Sequence, residues 1–209
     1  MTVIASKYSR VENDLYETEP WVVKALLRQI YIPAFSTIWE PAAGNHSIVR
    51  TLKDELLNPT IVSSDIVNYS EPHSFISDFF EERNDNWDGP FNVDWIITNP
   101  PYGAGNRMAV KFAELALSRA DNVALLLTGK FDFGKTRTHL FRDCGRFYTK
   151  IGLLDRISFF DGKTGTEDHA WYVWTRQERR NALLNWEGKA VNKGKRGRKK
   201  RRRISTGDV

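Results

Sequence analysis

The sequence contains one cysteine, Cys144, so no disulfide can close within the chain and a reducing compartment is the expected setting. Long apolar runs are missing as well. Glu12, Asp14, Glu17 and Glu19 crowd the first twenty residues, which is unlike a secretory signal, and no stretch approaches the ~20 apolar residues of a membrane span. A cytoplasmic protein without a membrane partner is therefore expected. The four histidines, His46, His73, His139 and His169, are scattered, and a lone cysteine offers no CxxC pair, so no metal site is expected. No Ser/His/Asp pattern of a covalent hydrolase stands out.

What the sequence does have is enough apolar residue for one core: 209 residues, 41% hydrophobic. Its net charge of +5 is unevenly distributed. Residues 189–209 hold ten Lys and Arg against one acid, which leaves 21 basic and 25 acidic side chains in residues 1–188. Within that body, residues 1–98 are acidic and residues 99–188 basic, so the second half is the one suited to a polyanion. The expected organisation is a polar N-terminal segment over 1–15, a domain over 16–188, and a basic tail over 189–209 that cannot bury a core but can bind phosphates without reading sequence.

Apolar patterning predicts alternating strands and helices. A helix is expected from Pro20 to about Ile30, a strand over 37–40, a helix over 47–57, strands over 60–65 and 93–98, a helix over 107–119 and a strand over 122–128. Strands over 153–160 and 169–175, joined by the polar residues 161–168, read as an antiparallel hairpin. This order predicts an α/β fold with a mainly parallel, doubly wound sheet.

The strand over 93–98 ends in Asn99-Pro100-Pro101-Tyr102. Pro101 forces Pro100 into extended backbone, and Pro100 fixes its own φ, so the carbonyls leaving the strand tip have set directions. The Asn99 oxygen and the Pro100 carbonyl can together accept both hydrogens of a planar amino group, and the Tyr102 ring can stack on the ring that bears it. Upstream, Glu40-Pro41-Ala42-Ala43-Gly44 is a small-residue turn between a strand and a helix, where a nucleotide-like cofactor can approach backbone amides. Asp65 closes the next strand, in position to accept hydrogen bonds from ribose hydroxyls, and Asp78, beside Phe79 and Phe80, suits an adenine amino group with a ring wall. Each piece taken alone has an ordinary explanation as a turn or helix cap. In residues 129–150, Lys130, Lys135, Arg137, Arg142, Arg146 and Lys150 alternate with Phe131, Phe133, Phe141, Phe147 and Tyr148, a mixture that suits phosphates and unstacked bases, or a solvated face.

In combination, Tyr16-Glu17-Thr18-Glu19-Pro20-Trp21, Glu40 to Gly44, Asp65 with Asp78, and Asn99-Pro100-Pro101-Tyr102 resemble the S-adenosylmethionine-dependent amino-methyltransferases, particularly bacteriophage-type DNA adenine methyltransferases. The resemblance covers about residues 14–176. It implies a class I methyltransferase (Rossmann-like) sheet of seven strands, six parallel and one antiparallel, and transfer of a methyl group from S-adenosyl-L-methionine to the exocyclic amine of adenine in DNA. It also implies cofactor contacts from Tyr16, Thr18, Glu40, Pro41, Ala42, Gly44, Asp65, Ile66, Asp78, Phe79 and Asn99, and a catalytic role for Asn99, Pro100, Pro101 and Tyr102. DNA contacts are expected from Lys130, Lys135, Arg137, Arg142 and Lys163, with the 161–168 loop and the tail. Two departures stand out. His46 occupies the position where the family commonly has a second glycine, and no large insertion after Tyr102 offers a target-recognition domain. Action on RNA or a protein glutamine, and a non-catalytic DNA-binding protein that keeps the fold, remain open.

Overall fold

In the computed structural model, residues 17–81, 93–158, 165–177 and 181–189 are described. Tyr16, Lys163 and the 161–164 part of its loop, the N-terminal segment and the tail beyond Lys189 lie outside these residues. Eight strands form one sheet: β1 (Thr37–Glu40), β2 (Thr60–Asp65), β3 (Phe75–Ile76), β4 (Trp95–Thr98), β5 (Asn122–Thr128), β6 (Phe147–Leu153), β7 (His169–Trp174) and β8 (Leu183–Glu187). Their order is β3-β2-β1-β4-β5-β7-β6-β8. β7 is antiparallel to both of its neighbours, and all the other pairings are parallel.

Side chains alternate across this sheet with a period of two, and the alternation divides the core into two layers. Trp95, Ile97, Ala124, Leu126, Trp171 and Val173 face one layer with α1 (Pro20–Leu27) and α2 (Ser47–Glu55). Ile96, Val123, Leu125, Leu127, Tyr172 and Trp174 face the other with α3 (Arg107–Arg119). The helices follow the 3.6-residue period, so Val22, Val23, Ala25 and Leu26 of α1, and Ala109, Phe112, Ala113 and Ala116 of α3, form their buried stripes. Three fully buried indoles each find an acceptor. Trp39 Nε1 donates to Ser64 Oγ at 2.9 Å, Trp171 Nε1 to the Val22 carbonyl at 2.8 Å, and Trp174 Nε1 to the Leu140 carbonyl at 2.6 Å.

The doubly wound sheet agrees with the expected fold class, with three corrections. The first arm of the hairpin is residues 147–153 rather than 153–160, because alternation begins at Phe147 and puts Thr149, Ile151 and Leu153 inside, whereas Leu154 is 71% exposed. Among the described residues there are eight strands rather than seven. β8 adds itself in parallel to β6, held by a backbone ladder, by Asn185 Nδ2 donating to Thr149 Oγ1, and by Glu187, which accepts from Arg28 and Gln29. Finally, α1 stops at Leu27 rather than Ile30, and α2 at Glu55 rather than 57.

Candidate active site

From β1, in the middle of the sheet, the chain moves outward to β3 and returns to the other side of β1 as β4. The strand order reverses between β1 and β4, and in open α/β sheets a crevice opens at the carboxyl ends of the strands at such a reversal. Here Glu40 ends β1, Asp65 ends β2 and Asn99 follows β4. A cavity of about 370 Å³ lies at that point and is lined by Glu40, Asp65 and Asn99 together. Of the nominated residues it also takes Thr18, Pro41, Ala42, Gly44, Ile66, Asp78, Phe79 and Pro101. Residues as far apart in sequence as Glu17 and Phe112 thus converge, because the ends of β1, β2, β3 and β4 share one edge of the sheet.

Local chemistry fixes each wall. Gly44, at φ 48°, donates its backbone N–H to Asp65 Oδ2 at 2.9 Å, and the Ile66 N–H reaches Oδ1 at 2.8 Å, so both carboxylate oxygens are oriented by main chain while retaining acceptor capacity. Burial raises the Asp65 pKa, and those two amides oppose the shift. Glu40 is buried, and its Oε2 has no hydrogen-bond partner among the described residues. Burial first, then the neighbouring Asp65 charge, holds Glu40 well above the usual carboxylate range. A buried carboxyl with an unpaired oxygen, on a residue that lines the cavity, fits a cationic group of a ligand, which would bring the pKa back down. Asp78 Oδ1 accepts from the Phe80 N–H at 2.8 Å, an Asx turn that holds this carboxylate at the rim, and Phe79 stacks on Phe112 with ring centroids 4.0 Å apart.

On the opposite wall, Asn99 Oδ1 accepts from the Tyr102 hydroxyl at 3.2 Å, and that hydroxyl also lies 3.1 Å from the Leu126 carbonyl of β5. Pro100 is buried and Tyr102 half-buried, and neither is among the cavity-lining residues. Gly103 follows at φ 62°, ψ −178°, backbone that essentially only glycine adopts, and a Cβ there would sit 2.6 Å from Met108 Cγ. The chain is thereby turned from β4 into α3, whose Met108 and Phe112 complete the wall. Met108, Phe112, Asn45 and Tyr69 also line the cavity and were not anticipated, since a helix-spaced Met and Phe read from sequence as core.

His46 does take positive φ, 62°, at the N-cap of α2, yet its ring stays out of the cavity and is buried against His73. In residues 129–150 the cations divide into two sets. Lys130 and Lys135 are exposed, beside Phe133, which is 81% exposed. Arg137 donates to the Phe131 carbonyl and lies over its ring, Arg142 is paired with Asp143, and Lys150 is held by Asp132 and the Gly129 carbonyl. Arg146 donates to the carbonyls of Leu117, Ala120 and Asp121, which close the C-terminal end of α3.

No protein-family model and no curated protein sequence matches the chain. Among solved structures it is similar to a Listeria monocytogenes protein put forward as a class I S-adenosylmethionine-dependent methyltransferase (TM-score 0.59, 12% identity, 86% of this chain, 68% of that one). It is also similar to the methyltransferase subunit of a type I restriction-modification system from Streptococcus thermophilus (TM-score 0.59, 17% identity, 84% and 47%). A third is a Pyrococcus horikoshii protein put forward as an RNA methyltransferase (TM-score 0.59, 16% identity, 81% and 90%). The fold is that of the class I methyltransferases. The chain spans about half the length of the restriction-modification subunit.

Proposed function

We propose that this protein is an S-adenosylmethionine-dependent methyltransferase that acts on the exocyclic amino group of adenine in DNA. The observation that carries the reading is the shared cavity of Asn99, Asp65, Glu40 and Gly44 at the reversal of strand order. Its volume, about 370 Å³, lies in the range of small-molecule sites, and polar groups from separate strand ends converge on it. Fold likeness to class I methyltransferases supports the cofactor, and among the neighbours both a restriction-modification subunit and a protein put forward as an RNA methyltransferase are consistent with a nucleic-acid substrate.

In this reading Asp65 accepts from the ribose hydroxyls, Asp78 and Phe79 meet the adenine of the cofactor, and Thr18 and the Glu40 to Gly44 turn hold its methionine end. Bound S-adenosylmethionine would supply an activated methyl group on a sulfonium. The amine of adenine is a poor nucleophile because its lone pair is delocalised into the ring. Asn99 Oδ1 and the Pro100 carbonyl each accept one amino hydrogen, which favours a pyramidal nitrogen and localises the pair. The Asn99 oxygen is also the acceptor of the Tyr102 hydroxyl, which holds the carboxamide in place. No strong base is needed, and the proton leaves the methylated amine to solvent. What these residues chiefly contribute is positioning of the amine towards the methyl group that bound S-adenosylmethionine would supply. In a duplex the base is flipped out and stacks on the half-exposed ring of Tyr102. Exposed Phe133, Lys130 and Lys135 supply a platform and phosphate contacts nearby in sequence to the end of β5.

The test is transfer of tritiated methyl from S-adenosylmethionine to DNA, RNA and protein fractions. Label recovered as N6-methyladenine from DNA supports the reading, whereas label confined to RNA or to protein glutamine refutes the substrate. Absence of any heat when the cofactor is titrated into the protein refutes the enzyme reading and leaves a DNA-binding protein with the same fold.

A further inference from the structure

Two loops form the cofactor-side walls of the cavity: the 41–46 turn after β1, which contributes Gly44 and Asn45, and the 66–74 loop after β2, which contributes Ile66 and Tyr69. Main chain alone does little to hold the second loop in place, since β3 is only two residues long. The two loops are joined instead by side chains. His46 Nε2 and His73 Nδ1 are 2.7 Å apart, with ring centroids at 4.7 Å. Asn45 Oδ1 accepts from Ser70 Oγ at 2.8 Å, and Arg50 donates to Glu71 at 2.6 Å and to the Asn45 carbonyl at 2.6 Å.

His46 is the centre of this set. It is 7% exposed and sits in left-handed backbone, which has a steric cost for any residue other than glycine. A glycine would avoid that cost, so the side chain has a compensating role, and its two ring nitrogens show what it is: Nε2 meets His73 and Nδ1 lies 3.3 Å from Glu71 Oε2. One side chain of the first loop thus grips two residues of the second. The Tyr69 ring stands edge-on to His73, 82° between planes, so the grip extends to a cavity-lining aromatic.

We propose that His46 and His73 form a clasp that fixes the 66–74 loop against the 41–46 turn and thereby sets the wall against which the adenosine half of the cofactor packs. Both act as positioning residues, since neither ring lines the cavity. The cofactor part of this proposal rests on the reading above, whereas the clasp itself does not. A hydrogen bond between two imidazoles requires one of the facing nitrogens to be without a proton, so the clasp needs at least one neutral ring. Burial, then the neighbouring His46, keeps His73 below the ordinary histidine range, with Asp65 opposing, which favours the neutral form there. The charged groups facing the pair are Glu71, Arg50 and Asp65.

Three variants of the full chain test this. His46→Gly removes the clasp and also relieves the backbone, His73→Ala removes the partner, and His73→Asn restores a hydrogen-bonding atom near the Nδ1 position. Hydrogen exchange of amides 66–74 in the free protein is expected to speed up about tenfold in His46→Gly and His73→Ala and to return towards wild type in His73→Asn. Calorimetric affinity for S-adenosylmethionine is expected to fall about five- to tenfold in the first two and to recover in the third. Unchanged exchange in His46→Gly overturns the clasp, and faster exchange with cofactor affinity equal to or better than wild type overturns its role in binding. If the wild-type protein binds no S-adenosylmethionine, the cofactor reading fails, and the exchange data still decide the clasp.

Discussion

Tyr102 places its hydroxyl 3.2 Å from Asn99 Oδ1 and 3.1 Å from the Leu126 carbonyl, tying the carboxamide at the end of β4 to the neighbouring strand β5. The Asn99 amide is thereby oriented before any substrate arrives. Such preorganisation is where catalytic hydrogen bonding gains its effect, because no reorganisation remains for the reaction step.

Tyr102→Phe removes that hydroxyl and keeps the ring. Methyl transfer is expected to drop about tenfold at saturating cofactor, from a less well held Asn99, while cofactor affinity changes less than about twofold. Steady-state tritium transfer and calorimetry read the two quantities separately. Equal turnover in the variant would remove Asn99 orientation from the role of Tyr102.

Asp65→Asn exchanges one of the two carboxylate oxygens oriented by the Gly44 and Ile66 amides for an amide nitrogen. An NH2 facing a backbone N–H, together with the loss of an acceptor for a ribose hydroxyl, is expected to weaken S-adenosylmethionine binding by about tenfold or more. Whichever of the two amides faces the new NH2 loses its acceptor, so thermal stability is expected to fall as well, by about 1–2 kcal/mol.

Residues 129–150 separate by role under mutation. Lys130→Ala with Lys135→Ala is expected to weaken DNA binding and to reduce the slope of log affinity against log salt by about 2, with thermal stability unchanged. Arg146→Ala leaves three carbonyls at the end of α3 without their donor and is expected to cost about 2–3 kcal/mol in urea unfolding, with the salt slope intact.

His169, buried at the start of β7, has its pKa lowered to about 4, chiefly by burial. Its folded-state pKa lies below its unfolded value near 6.5, so the unfolded chain binds more protons between these two values. Stability contributed by keeping this ring neutral is complete above about pH 6.5 and is lost as pH falls towards 4, by on the order of 2–3 kcal/mol. Urea titrations at several pH values check this, and His169→Gln is expected to flatten that part of the profile.

Much of this arrangement was legible in the sequence because it is local. A short apolar run that ends in Asn99-Pro100-Pro101-Tyr102, a small-residue turn after Glu40 and an acid at the end of the next strand are readable one element at a time, and the topology then brings them together. The pieces that depend on distant partners were not legible. Strand β8 has Leu184 and Trp186 largely exposed, so no buried alternation announces it, and only its ladder to β6 makes it a strand. The placement of β6 is fixed by its pairing with β7, Phe147 opposite Trp174, rather than by composition. Likewise Arg146 and Lys150 look like phosphate-binding cations until their partners, carbonyls at the end of α3 and the Asp132 carboxylate, are seen.

The central claim is that the Asn99 carboxamide holds the amine to be methylated, in a cavity shared with the cofactor. It is tested most directly by Asn99→Ala, assayed for tritiated methyl transfer into adenine of DNA beside calorimetry with S-adenosylmethionine. Loss of at least about a hundredfold in transfer, with cofactor affinity within a few-fold of wild type, is the expected result. Near-normal N6-methyladenine formation by Asn99→Ala would contradict it.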